Sequence, residues 1–222
     1  MKKVLFLLLV VWMFSLWSVS SRAVSAEINP QLAILPFVVE QSNDPARGTI
    51  LCPICKRVFQ SGSVVPGSDN YLTRVLHQKM EALEEFRIVS LQKMEEVFPS
   101  SGRRRFEEKP IATAVQIGKE LDAGFILVGF LFRFEERVGS SIGVEKPASV
   151  GFDLHLFRIR DGAEVWKGGI DETQRPLSEN LFQLGSFLRR KASWLTAEEL
   201  SSVGMEELLK RLPGKKELEE KR

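Results

Sequence analysis

The sequence predicts an α/β protein, an α+β mixed sheet with helices packed against it, and three observations carry that prediction. In Ile117–Val138 (IGKELDAGFILVGFLFRFEERV) a helix end turns at Asp122-Ala123-Gly124 into Phe125–Phe132, apolar without alternation. A run of that kind is what a central strand buried on both faces requires. Upstream, the strand-like segments are separated by segments with helical spacing. Downstream, three strand-like segments follow one another through turn-forming residues, which predicts an antiparallel meander.

The chain has 222 residues and a formal net charge of +2. Met1-Lys2-Lys3 precede an apolar run, Val4–Val19, followed by Ala23-Val24-Ser25-Ala26. A basic end, a run shorter than the roughly 20 residues a spanning helix needs, and small residues at the cleavage positions predict a signal peptide, residues 1–26. The alternative is an uncleaved membrane anchor. No cysteine lies near the cut, so the expected product is exported, periplasmic or associated with the outer envelope, and not lipidated. Of the 31 basic residues, Lys2, Lys3 and Arg22 leave with the signal, so 28 remain against 29 acidic ones. That balance gives no general attraction to a phosphate backbone, and no nucleic-acid partner is expected.

Leu32–Val39 reads as the first strand. Pro36 removes a ladder donor and should lie at an end, an edge or a bulge. Glu40–Gly48 is a loop. Thr49–Phe59 (TILCPICKRVF) and Gln60–Asn70 lead to the Pro66-Gly67 turn, so residues 49–67 form a cysteine-containing loop. Tyr71, Leu72, Val75, Leu76, Met80 and Leu83 recur at helical spacing, which predicts an amphipathic helix over Asn70–Glu85, capped by Ser68 or Asp69. Phe86–Leu91 is a short strand and Gln92–Phe98 a short helix ended by Pro99. Ser100–Lys109 reads as a polar, mobile loop. Pro110 suits the first turn of the helix that ends at Leu121.

The central strand turns polar at Arg133, and Arg133–Val138 is expected to run past the core to solvent. Gly139–Lys146 is a turn region. In Ala148–Arg160 apolar residues interleave with polar ones, predicting one solvated face. Asp161-Gly162 reads as a two-residue hairpin turn, and Glu164–Glu172 as the returning strand. Leu177–Leu195 is a long amphipathic helix. Thr196-Ala197-Glu198-Glu199 is a capping box opening a last helix, and Lys215–Arg222 a frayed, charged tail. Residues 27–195 would form one domain and 196–222 an appended helix and tail.

Three groups of residues carry a resemblance. They are Ala33-Ile34-Leu35-Pro36-Phe37 in the first strand, Ile117–Ala123 with Ile126-Leu127-Val128-Gly129, and the Asp161–Trp166 hairpin. Together they resemble the amino-terminal domain of the TolB translocation protein and the periplasmic domains of the CsgG secretion lipoprotein and the LpoB activator. The resemblance spans roughly Leu32 to Leu195. It implies a TolB-N-like sandwich of two or three layers with a C-terminal antiparallel meander and a long helix. It also implies an envelope module that contacts other proteins. Its motifs are structural, so it supports fold better than function. This chain lacks the lipidated cysteine of the CsgG- and LpoB-like proteins, and the Gly139–Lys146 connection is too short and polar for membrane-inserting strands.

The one sharp local motif is Cys52-Pro53-Ile54-Cys55, which holds both cysteines. A local disulfide suits an exported chain. A zinc knuckle needs four ligands, and neither His77 nor His155 has finger-like spacing to the pair. A redox pair needs a helix after the first cysteine, and Lys56–Val65 does not read as one. Free thiols are the fourth reading. His77, His155 and the carboxylate pairs Glu135-Glu136 and Asp171-Glu172 read as ordinary structural or surface residues. So do Trp166 and Trp194 as core, and Arg103-Arg104-Arg105 as a solvated loop.

No catalytic constellation is visible, so no enzyme activity is expected. The expected function is a non-enzymatic envelope scaffold or assembly partner. Its expected contact surface is Arg133, Glu135 and Arg137 on the polar end of the central strand. A thiol-redox or zinc-binding factor using Cys52 and Cys55, and a subunit of a secretion-type ring, are the alternatives. No cofactor is expected unless zinc binds Cys52 and Cys55.

Overall fold

The structure, a computed structural model, describes residues 29–42, 48–99, 103–175 and 194–220. The expected signal segment and nearly all of the long helix expected over Leu177–Leu195 lie outside these residues. Trp194 and Leu195, at its end, have no regular secondary structure. No helix among the described residues is long and apolar enough to cross a membrane.

The expected mixed α/β architecture is what the chain forms. The strands of the main sheet are β1 (Gln31–Ile34), β2 (Val38–Val39), β5 (Arg87–Ile88), β6 (Phe125–Glu135), β9 (Ser149–Arg158) and β10 (Glu164–Thr173). Their order is β10-β9-β6-β1-β5, with β2 also on β6. β6 is the centre. It pairs in parallel with β1, Ala33 opposite Ile126, and antiparallel with β9, Leu127 opposite Leu156. Pro36 falls in the break between β1 and β2, as its missing donor demands. The Phe37 N–H beside it donates to Thr73 Oγ1 at 3.0 Å.

Helices cover both faces, making three layers. On one face α1 (Ser68–Ala82) and α5 (Ala197–Leu209) bring Leu72, Leu76, Met80, Leu200 and Met205 against Leu32, Ile34, Leu127, Leu154 and Leu156. On the other lie α2 (Leu91–Val97), α3 (Arg103–Glu108) and α4 (Pro110–Glu120). These bring Met94, Phe106, Ala114 and Ile117 against Ala33, Ile126, Val128, Phe130 and Phe157. The same face carries a separate hairpin, β3 (Thr49–Leu51) with β4 (Val58–Gln60), whose Phe59 is fully buried. A second small hairpin joins β7 (Val138–Gly139) to β8 (Val144–Lys146).

Several expectations are corrected. The N-cap of α1 is Gly67, not Ser68 or Asp69, because the Ser68 hydroxyl is turned back to donate to the Val65 carbonyl at 2.6 Å. Arg103–Glu108 is helical rather than loop, held by Phe106 in the core. The turn before β10 spans Ile159–Ala163, because the Arg158 N–H donates to the Ala163 carbonyl and the Asp161 carboxylate grips the Arg158 guanidinium. Residues Lys215–Glu220 form α6, and fully buried Leu218 docks this tail, while Arg158 Nη1 donates to the Leu218 carbonyl. The largest correction concerns β9. All ten of its residues are buried, polar ones included.

Candidate metal centre

The buried polar residues of β9 follow from what covers it. Asp153, His155 and Phe157 alternate onto one face of the strand, while Phe152, Leu154 and Leu156 take the other. The first face lies beneath the β3–β4 hairpin. Antiparallel pairing sets Ile50 opposite Phe59 and Leu51 opposite Val58, so Phe59 points inward and stacks on Phe132 with ring centroids 4.4 Å apart. The hairpin is anchored at its trailing end through both backbone groups of Gln60. Its carbonyl accepts from Arg133 Nη1 at 2.6 Å, and its N–H donates to Asp171 Oδ2 at 3.0 Å. Arg57 crosses to donate to the Gly169 carbonyl at 3.4 Å. A Cβ on Gly169 would fall 2.6 Å from Asp153 Oδ1, so a side chain there would collide with the site.

Anchored in this way, the hairpin delivers Cys52-Pro53-Ile54-Cys55 to the sheet. The turn is closed by the Cys52 N–H donating to the Arg57 carbonyl at 2.9 Å and the Lys56 N–H donating to the Cys52 carbonyl at 3.1 Å. Lys56 takes φ 61°, and the chain returns as a strand with no helix after Cys55. Cys52 Sγ lies 3.2 Å from His155 Nε2, and Cys55 Sγ lies 3.2 Å from Asp153 Oδ2. His155 Nε2 and Asp153 Oδ2 are themselves 3.2 Å apart. One ligand atom from each of Cys52, Cys55, Asp153 and His155 lies within 4.8 Å of all the others. A tetrahedral zinc site with bonds of about 2.0–2.3 Å has edges of about 3.3–3.8 Å. Three of the separations, 3.2 Å each, are close to that edge, and the rest lie within 4.8 Å, so the set is within reach of one ion.

His155 Nδ1 lies 2.6 Å from Glu164 Oε1, an arrangement in which Nδ1–H donates to the carboxylate. Nε2 lies 3.2 Å from both Cys52 Sγ and Asp153 Oδ2, a space that a thiol proton, a second ring proton or a metal can fill. A carboxylate that fixes the histidine tautomer from behind is the usual support for a metal ligand. Burial pushes the Cys52 thiol up to about 12, although the Cys55 and Ile54 N–H groups donate to its sulfur and pull the other way. Burial also acts to raise Asp153, but hydrogen bonds from His155 and the thiols outweigh it and hold the carboxyl below its usual range. A dication reverses the balance at Cys52, since a coordinating thiol is deprotonated outright. Two thiolates and one carboxylate around a dication leave one negative charge, and Glu164 adds another. Arg57 lies over the hairpin nearby, and Lys167 Nζ pairs with Glu164 Oε2 at 3.1 Å.

The two cysteines are thus not joined to each other in the structure; both thiols are free. His155, expected to be an ordinary residue on a half-solvated strand, is fully buried, as is Asp153 at 2% exposure. Their i, i+2 spacing was the available signal. Of the expected contact surface, Arg133 turns inward, while Glu135 and Arg137 stay half-buried. Arg133 is 3% exposed, contacting Ser149, Gln60, Val150 and Asp171, because the hairpin covers the strand where solvent was expected. Glu135 takes the Lys146 ammonium at 2.6 Å and the Ser63 N–H at 3.0 Å. Arg137 is half-buried and donates to the Trp194 carbonyl. His77 is buried on α1, with its Nε2 3.1 Å from the Val89 carbonyl. Trp166 belongs to the core.

No protein-family model matches the sequence, and no curated protein matches it. Among solved structures, the chain is similar to the PelC dodecamer from Paraburkholderia phytofirmans, with 11% identity, a TM-score of 0.46, and 82% of this chain and 85% of that one covered. It is similar to lipoprotein GNA1162 from Neisseria meningitidis, with 12% identity, a TM-score of 0.44, and 73% and 98% covered. It is also similar to the LpoB C-terminal domain from Salmonella enterica, with 14% identity, a TM-score of 0.41, and 69% and 89% covered. Likeness at this level carries no functional argument.

Proposed function

We propose that this chain is an exported, non-enzymatic protein of the cell envelope, built around a structural zinc site that ties the cysteine hairpin to the sheet. The observation that carries the metal reading is the convergence of Cys52, Cys55, Asp153 and His155 from two segments about a hundred residues apart. Two sulfurs, one imidazole nitrogen and one carboxylate oxygen in tetrahedral reach suit zinc better than hard cations such as magnesium or calcium. All four positions are filled by protein. Catalytic zinc keeps a position open for water, so a closed set supports a structural role. Export rests on Met1–Ala26, and a role through protein contacts, as in the TolB-N-like reading, is the function such a module would serve.

The test is direct. Residues 27–222, purified under reducing conditions from a zinc-supplemented host, should carry one zinc per chain by elemental analysis. Cys52→Ser and His155→Ala should each lose it while keeping the far-ultraviolet circular dichroism of the sheet. Zinc at well below one per chain in the reduced parent, after reconstitution, would refute the reading.

A further inference from the structure

The four ligands are not equally protected, and the difference points to a redox response of this same site. We infer that zinc occupancy and a Cys52–Cys55 disulfide are mutually exclusive states, with Cys55 the ligand that a hydroperoxide attacks first. The inference rests on the zinc reading above. Cys52, Asp153 and His155 are buried, His155 and Cys52 completely. Cys55 is the partly exposed member of the set. The chain beside it, Pro53-Ile54 before and Lys56-Arg57 after, is half-buried to exposed, which puts Cys55 at the open side of the site.

The chemistry balances. The Cys55 thiolate attacks one oxygen of hydrogen peroxide; an S–O bond forms, the O–O bond breaks, and hydroxide leaves to become water with one solvent proton. The Cys52 thiolate then attacks the sulfenic sulfur of Cys55. The S–S bond forms, the S–O bond breaks, and a second hydroxide leaves as water with a second proton. Peroxide is reduced by two electrons and the two sulfurs are oxidised by one each. The turn makes the second step local: the two residues are three apart in a tight turn, where Cα atoms lie within about 7 Å, the range a disulfide spans. The sulfurs are already within 4.8 Å of one another.

Once both sulfurs are in the disulfide, Asp153 and His155 are the only ligands left, and two ligands do not hold zinc at a closed site. The metal is released.

The reduced, zinc-loaded chain is treated with hydrogen peroxide in the presence of a chromogenic zinc chelator, and intact mass is followed in parallel. The expected result is release of one zinc per chain, in step with loss of two hydrogens in mass. A thiol reductant with added zinc should restore the loaded state. Cys55→Ala, even if it binds zinc weakly or not at all, should form no intramolecular disulfide, and Cys52 in it should react far more slowly than Cys55 does in the parent. Zinc retained after oxidation, zinc released without the mass change, or equal reactivity of Cys52 in the variant would overturn the inference while leaving the zinc site standing. A reduced parent that carries no zinc would instead remove the reading on which it depends.

Discussion

Replacing Glu164 with glutamine tests whether His155 is a metal ligand held from behind. The His155 Nδ1 to Glu164 Oε1 distance of 2.6 Å makes this a charge-assisted bond, and the imidazole it holds is fully buried. Glu164→Gln keeps an acceptor oxygen in place but removes the negative charge that makes Nε2 a better donor to the metal. Loss of such a partner typically weakens metal binding about 10–100-fold, which is about 1.4–2.7 kcal/mol. The lower end applies, because the Glu164 side chain is 26% exposed and shares its charge with Lys167 at 3.1 Å. Solvent screening discounts a group that open. The expected outcome is an affinity loss of about tenfold, read by competition against a chromogenic chelator at neutral pH, with one zinc per chain still bound at saturation. Unchanged affinity would mean that Nδ1 does not support a ligand. A loss as large as that of His155→Ala would make Glu164 itself a ligand. Either result refutes the reasoning.

Arg133→Met should destabilise the fold by about 3 kcal/mol in urea, because it strands a partly buried carboxylate and leaves the Gln60 and Val150 carbonyls without their donor. Adding Asp171→Leu should recover part of that loss by removing the unpaired charge. Thr196→Ala should cost about 1 kcal/mol, since both halves of the capping box are made: Glu199 N–H to Thr196 Oγ1 at 3.1 Å and Thr196 N–H to Glu199 Oε2 at 2.9 Å. Asp161 has an acid-side signature. Hydrogen bonds from the Arg158 guanidinium and the Ala163 N–H hold its carboxyl at about 2, below the ordinary value of about 3.9. Its contribution to stability is therefore full above the unfolded-state value and lost as pH falls through about 2. Asp161→Asn should flatten that part of an acid titration followed by circular dichroism; an unchanged acid limb would argue against the pairing.

The sheet was legible because its signals are local. Phe125–Phe132 needs no knowledge of its neighbours to read as buried on both faces, and Pro36 fixes its own place in a break. Thr196 and Glu199 announce their cap. The site was half legible. Cys52 and Cys55 identify a loop able to bind a metal, but their partners lie on a strand 98 and 103 residues away. Asp153 and His155 alternate with Phe152, Leu154 and Leu156, a pattern identical to that of a strand with one wet face. Period-two alternation reports which residues share a face, and only the tertiary fold decides whether that face meets water or a hairpin. Arg133 was misread for the same reason: a charge after an apolar run signals solvent unless another segment brings carbonyls and a carboxylate to meet it.

The spacing of the ligands also decides between the two ways the cysteines could stabilise this fold. A cross-link restricts the unfolded chain in proportion to the logarithm of the loop it closes. In the chain-entropy picture a Cys52–Cys55 disulfide, closing four residues, contributes about 1.9 kcal/mol, whereas a link closing a loop of about a hundred residues contributes about 4.7 kcal/mol. A metal shared by Cys52 and His155 is a link of the second kind, across a separation of 103 residues. It also joins the hairpin to β9, which a disulfide within the hairpin cannot do. The zinc-loaded chain should therefore resist urea better than the oxidised, zinc-free chain by up to about 3 kcal/mol. The difference should reside in the docking of the hairpin rather than in the main sheet. Hydrogen exchange resolves the two: faster exchange at the Cys52 N–H in the oxidised form, with β6 unchanged, is what this geometry requires. Equal protection of the hairpin in both forms would mean that Phe59 and the Gln60 contacts hold it without the metal.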